Sequence, residues 1–270
     1  MANIDLIKEL RKKTFAGVCD CKKALELNNF DIDKACDWLR KQGIIKGIKK
    51  ADKIANEGLI NVRINDNVAV IFEINCETDF VANSIKFNEL IEKAANKLIL
   101  EKPTNLDEAK KKLVPLLADA VIAVGEKVVL NHFELITKKD EESFGSYIHM
   151  KGKSAALVVI NNDKKQIADD LATHIVANSP IYLKLEDIPN KVFESEKKII
   201  LELAQKNNEF VGKQQSIIDK IVQGKIKKNL SEITLYEQLY LLDNSKKVSQ
   251  FLSENNVSVL KFVRYKIGEK

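Results

Sequence analysis

Few side chains in this chain could carry covalent or metal chemistry: four cysteines (Cys19, Cys21, Cys36, Cys76) and three histidines (His132, His149, His174) among 270 residues. A thiol becomes a nucleophile when a base lies beside it and a third group orients that base. Cys76 with His132 or His149 is the one such pair that can be drawn. The cysteines form no CxxC pair, so zinc is not expected, and on a helix Cys19 and Cys21 would point to nearly opposite sides. There is no HExxH, no GxSxG and no phosphate-binding glycine loop, and 10 glycines leave little material for one. No cofactor and no metal are expected. The chemistry that remains is non-covalent. It centres on residues 75–83, Asn-Cys-Glu-Thr-Asp-Phe-Val-Ala-Asn, where Asp79 and Phe80 lie between a strand-like run and a helix-like run. A connection runs over the surface, so a phenylalanine near its middle either folds back into the core or is aimed at a partner.

The elements that position this stretch follow from hydrophobic periodicity. Residues 3–14 read as a helix capped by Asn3, with Ile4, Ile7 and Leu10 or Arg11 at helical spacing. Gly17 marks a break before a second helix over 18–27. A third fits 32–42, where Ile32, Ala35, Cys36 and Leu39 form a stripe, Asp31 caps the start and Gly43 the end. Residues 46–55, with Lys46, Lys49, Lys50 and Lys53, read as a helical linker whose charges are either a solvated face or a nucleic-acid contact. Strands over 59–65 and 68–75 are joined by a hairpin turn at 65–67. Beyond the 75–83 stretch, Phe87, Leu90, Ile91, Ala94, Ala95 and Leu98 mark an amphipathic helix that Pro103 ends. A further helix is expected over 106–123, broken near Pro115.

Strands follow at 128–137, 143–150 and 155–161, then a helix with Ile167, Leu171, His174 and Ile175 on one face, which makes His174 a packing residue. This block echoes the first: Gly58, hairpin, Ile74-Asn75 and helix lie beside Gly145, hairpin, Ile160-Asn161 and helix. Asn75 precedes Phe87 by twelve positions and Asn161 precedes Ile167 by six, so the 75–83 stretch is an added segment on a repeated scaffold. Residues 190–207 and 212–229 suit an antiparallel helical hairpin turning at 207–212, with thin stripes at Val192, Ile199 and Leu203, then Ile217 or Ile218 and Ile221. A short helix near 245–255 and a last strand over 257–267 close the chain. The class is α+β. The domains expected are 1–56, a three-helix module with its basic linker; 57–142, a first core part; 143–189 with 230–270, a second; and 190–229, the inserted hairpin.

Charge narrows the function. Residues 1–56 hold 13 basic and 8 acidic side chains and the rest of the chain holds 31 of each, so the whole net charge of +5 lies on the N-terminal module. A locally basic module suits an acidic protein patch or RNA. Aromatic residues make up 6% of the chain, and no strand carries the basic and aromatic pattern of an RNA-recognition sheet. No run reaches the roughly 18 apolar residues of a membrane span and the start lacks a charged-then-apolar leader, so a cytoplasmic protein is expected.

Two stretches, residues 10–25 (LRKKTFAGVCDCKKAL) and residues 73–83 (EINCETDFVAN), resemble the two signatures of the translation elongation factor Ts family, and the order of parts agrees over essentially the whole chain. The resemblance implies a UBA-like N-terminal module, a two-part antiparallel-sheet-plus-helices core with an inserted coiled-coil hairpin, and a guanine nucleotide exchange factor without covalent catalysis. The implied partner is elongation factor Tu, GDP-bound and nucleotide-free, with no direct nucleic acid and no membrane. A homodimer or 2:2 complex stays open. The implied roles are a wedge at Thr78, Asp79, Phe80 and Val81 that dislodges magnesium, partner contacts at Leu10, Arg11, Val18, Cys19 and Lys22 in the N-terminal module, and His149 from the second core half. The sequence departs from the family pattern at Phe15, where many members have glycine, and at Val18-Cys19, where some have two methionines. An RNA-associated ribosomal accessory protein is the alternative function.

Overall fold

Three helices open the chain: α1 (Ile4–Thr14), α2 (Val18–Leu27) and α3 (Ile32–Lys49). The structure, a computed structural model, describes residues 4–50, 52–207 and 214–269, so the expected cap at Asn3 lies outside the described residues. Leu10, Cys21, Ala24, Leu25, Ala35 and Leu39 are buried together as the core of this module. The Asp31 carboxylate accepts from the Lys34 amide at 3.0 Å and starts α3. Gly43 does not end that helix, which runs on to Lys49. Its glycine answers to packing: a Cβ there would lie 2.3 Å from the Ala118 carbonyl oxygen. Gly43→Ala is therefore expected to destabilise the protein by about 1–3 kcal/mol. Gly47→Ala, four residues on with nothing within 4 Å of an added Cβ, is expected to stabilise it by roughly 0.5–1 kcal/mol. Urea unfolding of the two variants tests the opposite signs.

The first sheet has the order β1-β2-β3 from β1 (Glu57–Asn65), β2 (Val68–Cys76) and β3 (Val128–Thr137), all antiparallel. Asp66, with φ 49°, turns the β1–β2 hairpin. Between β2 and β3 run α4 (Asp79–Ala82), α5 (Ile85–Glu101) and α6 (Leu106–Val124). Period-2 alternation puts Val70, Phe72, Ile74 and Cys76 on one face of β2, where they join Phe87, Leu90, Ile91, Ala94, Leu98 and Leu113 of the two long helices in one core. Pro115 does not break α6. It and Lys111, whose carbonyl loses its partner to the proline, both lie on the exposed side of the helix, where water can take the orphaned oxygen.

The second part begins with β4 (Ser143–His149), β5 (Ser154–Ile160) and α7 (Lys165–Asn178). It continues through α8 (Asn190–Lys206), α9 (Gln215–Glu232), a small β6 (Leu239–Tyr240) and β7 (Asp243–Lys247) ladder that periodicity missed, α10 (Val248–Glu254) and β8 (Val259–Lys266). The second sheet has the order β4-β5-β8. Gly145 lets α7 approach, since a Cβ there would lie 2.0 Å from the Ala168 backbone. His174 is fully buried. Its Nδ1 accepts from the Leu241 amide at 3.2 Å and its Nε2 meets Gln238 Oε1 at 2.9 Å, so it packs as a neutral ring whose pKa is lowered by burial. In α8 and α9 the buried apolar residues are Ile200, Ala204, Val222 and Leu230. Ile199, Leu203 and Ile217 of the expected stripes are exposed, and the expected turn beyond Asn207 lies outside the described residues.

The chain divides into two compact units, one of Met1–Asp140, Ser146–Leu157 and Val263–Lys270, the other of Glu141–Gly145 and Val158–Phe262. Among the described residues no helix is long and apolar enough to cross a membrane.

Candidate functional site

The twelve-residue gap between Asn75 and Phe87 folds into a turn of its own. Strand β2 ends at Cys76, Thr78 is the extended N-cap residue of the single-turn helix α4, and its hydroxyl accepts from the Val81 amide at 3.4 Å. Asn83 closes the turn, with both its backbone and side-chain nitrogens 2.9 Å from the Asp79 carbonyl. One turn of helix divides its side chains. Val81 packs on the core of the first sheet and Ala82 is fully buried beside it, while Asp79 is exposed and Phe80 is 84% accessible. The alternative in which Phe80 folds back into the core is overturned: the core is filled by its successors, and the ring is left outside. Among the described residues the Asp79 carboxylate has no partner.

An unforeseen residue fixes the approach to this turn. The Glu126 carboxylate accepts from the Glu77 amide at 3.0 Å, the Thr78 amide at 3.0 Å and the Thr78 hydroxyl at 2.7 Å. Glu77 turns the other way: its Oε1 accepts from the Lys127 amide at 2.6 Å and from Lys50 Nζ at 3.2 Å. The Lys127 amide, followed by Lys50, holds the Glu77 carboxyl below its usual range. Lys50 Nζ also reaches the Gly125 carbonyl at 2.5 Å. Residues 125–127 lie nearly fifty positions beyond the loop, and only the return of the chain into β3 brings them to it. No local signal could have shown this.

The thiol chemistry considered above has no geometry. Burial, and next the nearby Glu126 charge, push the Cys76 thiol up to about 12, and its Sγ lies 3.2 Å from the Thr78 carbonyl. His132 pairs with buried Glu73 at 3.0 Å and stacks on Tyr265. His149 is exposed near the tip of the β4–β5 hairpin, its Nδ1 3.2 Å from the Tyr147 hydroxyl.

In the N-terminal module Arg11, Val18, Cys19 and Lys22 are all exposed, and Lys22 pairs with Glu26 at 3.9 Å. Leu10 is fully buried in the module core and presents nothing to a partner. Two of the four lysines at the end of the module serve the chain itself: Lys46 binds Asp20 at 2.9 Å, and Lys50 binds Glu77. Phe15, in the turn after α1, takes φ 57° and carries Lys86 Nζ 4.6 Å above its ring. A groove of about 200 Å³ opens beside it, lined by Leu39, Phe87, Leu90 and Leu116 among others.

The model of the family described as "Elongation factor TS" matches residues 77–269. Among curated proteins, the chain is 39% identical to the elongation factor Ts of Pediococcus pentosaceus over 277 aligned positions, covering 100% of this chain and 94% of that protein. It is also 39% identical to the elongation factor Ts of Acholeplasma laidlawii over 271 positions, covering 98% and 92%.

Proposed function

The chain belongs to the elongation factor Ts family of translation elongation factors, and from that premise we propose that it binds elongation factor Tu carrying GDP and releases the nucleotide and its magnesium ion so that GTP can bind. The observation that carries this reading is Phe80, a large apolar ring held in the open on an ordered turn. No bond is made or broken in such a reaction. An exchange factor acts by binding the nucleotide-free partner more tightly than the GDP-bound one, and that difference is the free energy available to expel the ligand. A ring that can be buried only where the partner has opened supplies the difference, because its transfer from water counts in one state and not the other. Asp79, exposed beside it, would face the elements that hold magnesium. Arg11, Val18, Cys19 and Lys22 of the module and His149 of the β4–β5 hairpin would supply attachment common to both states.

The RNA-binding alternative draws on the basic segment after the module. Lys46 and Lys50 are engaged by Asp20, Glu77 and the Gly125 carbonyl, which leaves that segment less charge to present to phosphates. The experiment is to load elongation factor Tu with fluorescent GDP, add the protein with excess unlabelled nucleotide, and follow the signal. Acceleration over spontaneous loss is expected. Loss at the spontaneous rate would sink the proposal.

A further inference from the structure

The exposed pair Asp79-Phe80 lies in a segment that the N-terminal module grips at both ends. Upstream, Glu77 takes Lys50 Nζ at 3.2 Å, and Lys50, the residue that follows the last turn of α3, is also bonded to the Gly125 carbonyl. Its neighbour Lys53 is held in the same place, its carbonyl accepting from Lys127 Nζ at 2.8 Å. Downstream, Lys86 in the first turn of α5 stands 4.6 Å from the centroid of the Phe15 ring. Among the described residues Lys86 has no anionic partner, so the ring face is what receives its charge. Phe15 holds that ring in place from a left-handed backbone conformation at φ 57°, a region that a bulky residue rarely enters. Phe15 is 47% accessible and lines the groove between the module and α5 and α6.

We propose that Phe15 and Lys50 are positioning residues for the Asp79-Phe80 wedge, so that the N-terminal module and the loop act on the partner as one rigid body and not as two independent contacts. This rests on the exchange-factor reading for its functional consequence, though the mechanical claim does not. With the two brackets in place, the backbone of residues 77–86 is fixed before the partner arrives, and docking the module delivers the ring in a set direction. With them cut, module and loop can each still bind, while the loop must be reoriented for every exchange event.

Two variants cut the brackets without threatening the fold. Lys50→Met removes the cation and keeps the stem, and Phe15→Gly removes the ring and relieves the backbone. The first readout is amide hydrogen exchange in the isolated protein. The amides of Ala82, Asn83 and Ser84, bonded within the turn to Thr78, Asp79 and Val81, should exchange about two- to fivefold faster in each variant, the scale of one exposed cation–π or ion-pair contact. Amides of β2 should be unchanged. The second readout is exchange kinetics: the maximal GDP release rate should fall about two- to fivefold in each variant with half-saturation nearly constant. The effects should be non-additive in the double variant, and Lys50→Arg should restore most of the first. Unaltered protection of the three turn amides overturns the positioning claim whatever the kinetics show. Faster turn exchange in variants of a parent that does not release GDP would uphold the positioning and fail only the exchange-factor reading. A change in half-saturation alone would make Phe15 and Lys50 ordinary attachment residues.

Discussion

Phe80→Ala is expected to remove most of the nucleotide exchange activity while leaving the fold as it is. With 84% of the residue accessible, the ring contributes little to the chain's own stability, and a surface truncation of this kind changes stability by no more than about 0.5 kcal/mol. In a complex the same ring is worth much more. Burial of a phenylalanine side chain is worth about 2–3 kcal/mol, and at 1.36 kcal/mol per decade that corresponds to a roughly 30- to 150-fold fall in rate. Where the loss appears separates wedge from anchor. A ring that is buried only after the partner opens contributes to the maximal release rate and leaves affinity for the GDP-bound partner nearly unchanged. An anchor contributes to both. Titrating the variant against elongation factor Tu loaded with fluorescent GDP gives the two quantities in one series. Phe80→Leu, which keeps much of the apolar area in a different shape, should fall between parent and alanine. If Phe80→Ala released nucleotide as fast as the parent, the wedge account would be wrong, and the work would pass to Asp79 and the module.

The surplus of six residues between Asn75 and Phe87 over the matching interval in the second block was legible without coordinates, and it is this surplus that forms the α4 turn. Periodicity likewise placed α2 and β3 at their observed ends, because apolar spacing and turn residues agree there. It misjudged residues whose reason lies in tertiary contact. Gly43 has the look of a helix terminator and is instead a point where the α6 backbone comes too close for a Cβ. Pro115 has the look of a break, yet one missing hydrogen bond on the wet side does not outweigh a helix packed along its other face. Leu10 shows the limit of arguing from resemblance: a contact position carried over by motif turns out to be part of the module's own core. The clamp at Glu126 and the brackets at Lys50 and Phe15 were out of reach altogether. Each pairs residues 27–75 positions apart, and a single sequence carries no mark of which distant side chain will arrive.

Removing that clamp is expected to have the second large effect, through order and not through contact. Glu126→Ala would leave the Glu77 and Thr78 amides and the Thr78 hydroxyl without their acceptor. Hydrogen bonds to a charged group contribute about 1.5–3 kcal/mol each. Because this corner is only half-buried, water can replace part of them, and the expected net loss of stability is about 2–3 kcal/mol. The functional loss follows from the entropy of the loop. Holding one residue's backbone in one conformation costs about 1–2 kcal/mol, and a loop released at Glu77 and Thr78 must meet that cost as the ring is inserted, which is expected to lower the maximal release rate about tenfold. Glu126→Gln should be milder. Its amide oxygen can still accept from the two backbone amides, and its NH₂ group can donate to the Thr78 hydroxyl, so the geometry survives with the charge removed. The double variant distinguishes clamp from contact. If Glu126 acts only by aiming Phe80, adding Glu126→Ala to Phe80→Ala should lower stability by its full amount and slow exchange no further, since there is no ring left to aim. Additive loss in exchange would mean that Glu126 aims more than the ring, with Asp79 the residue that remains on the turn.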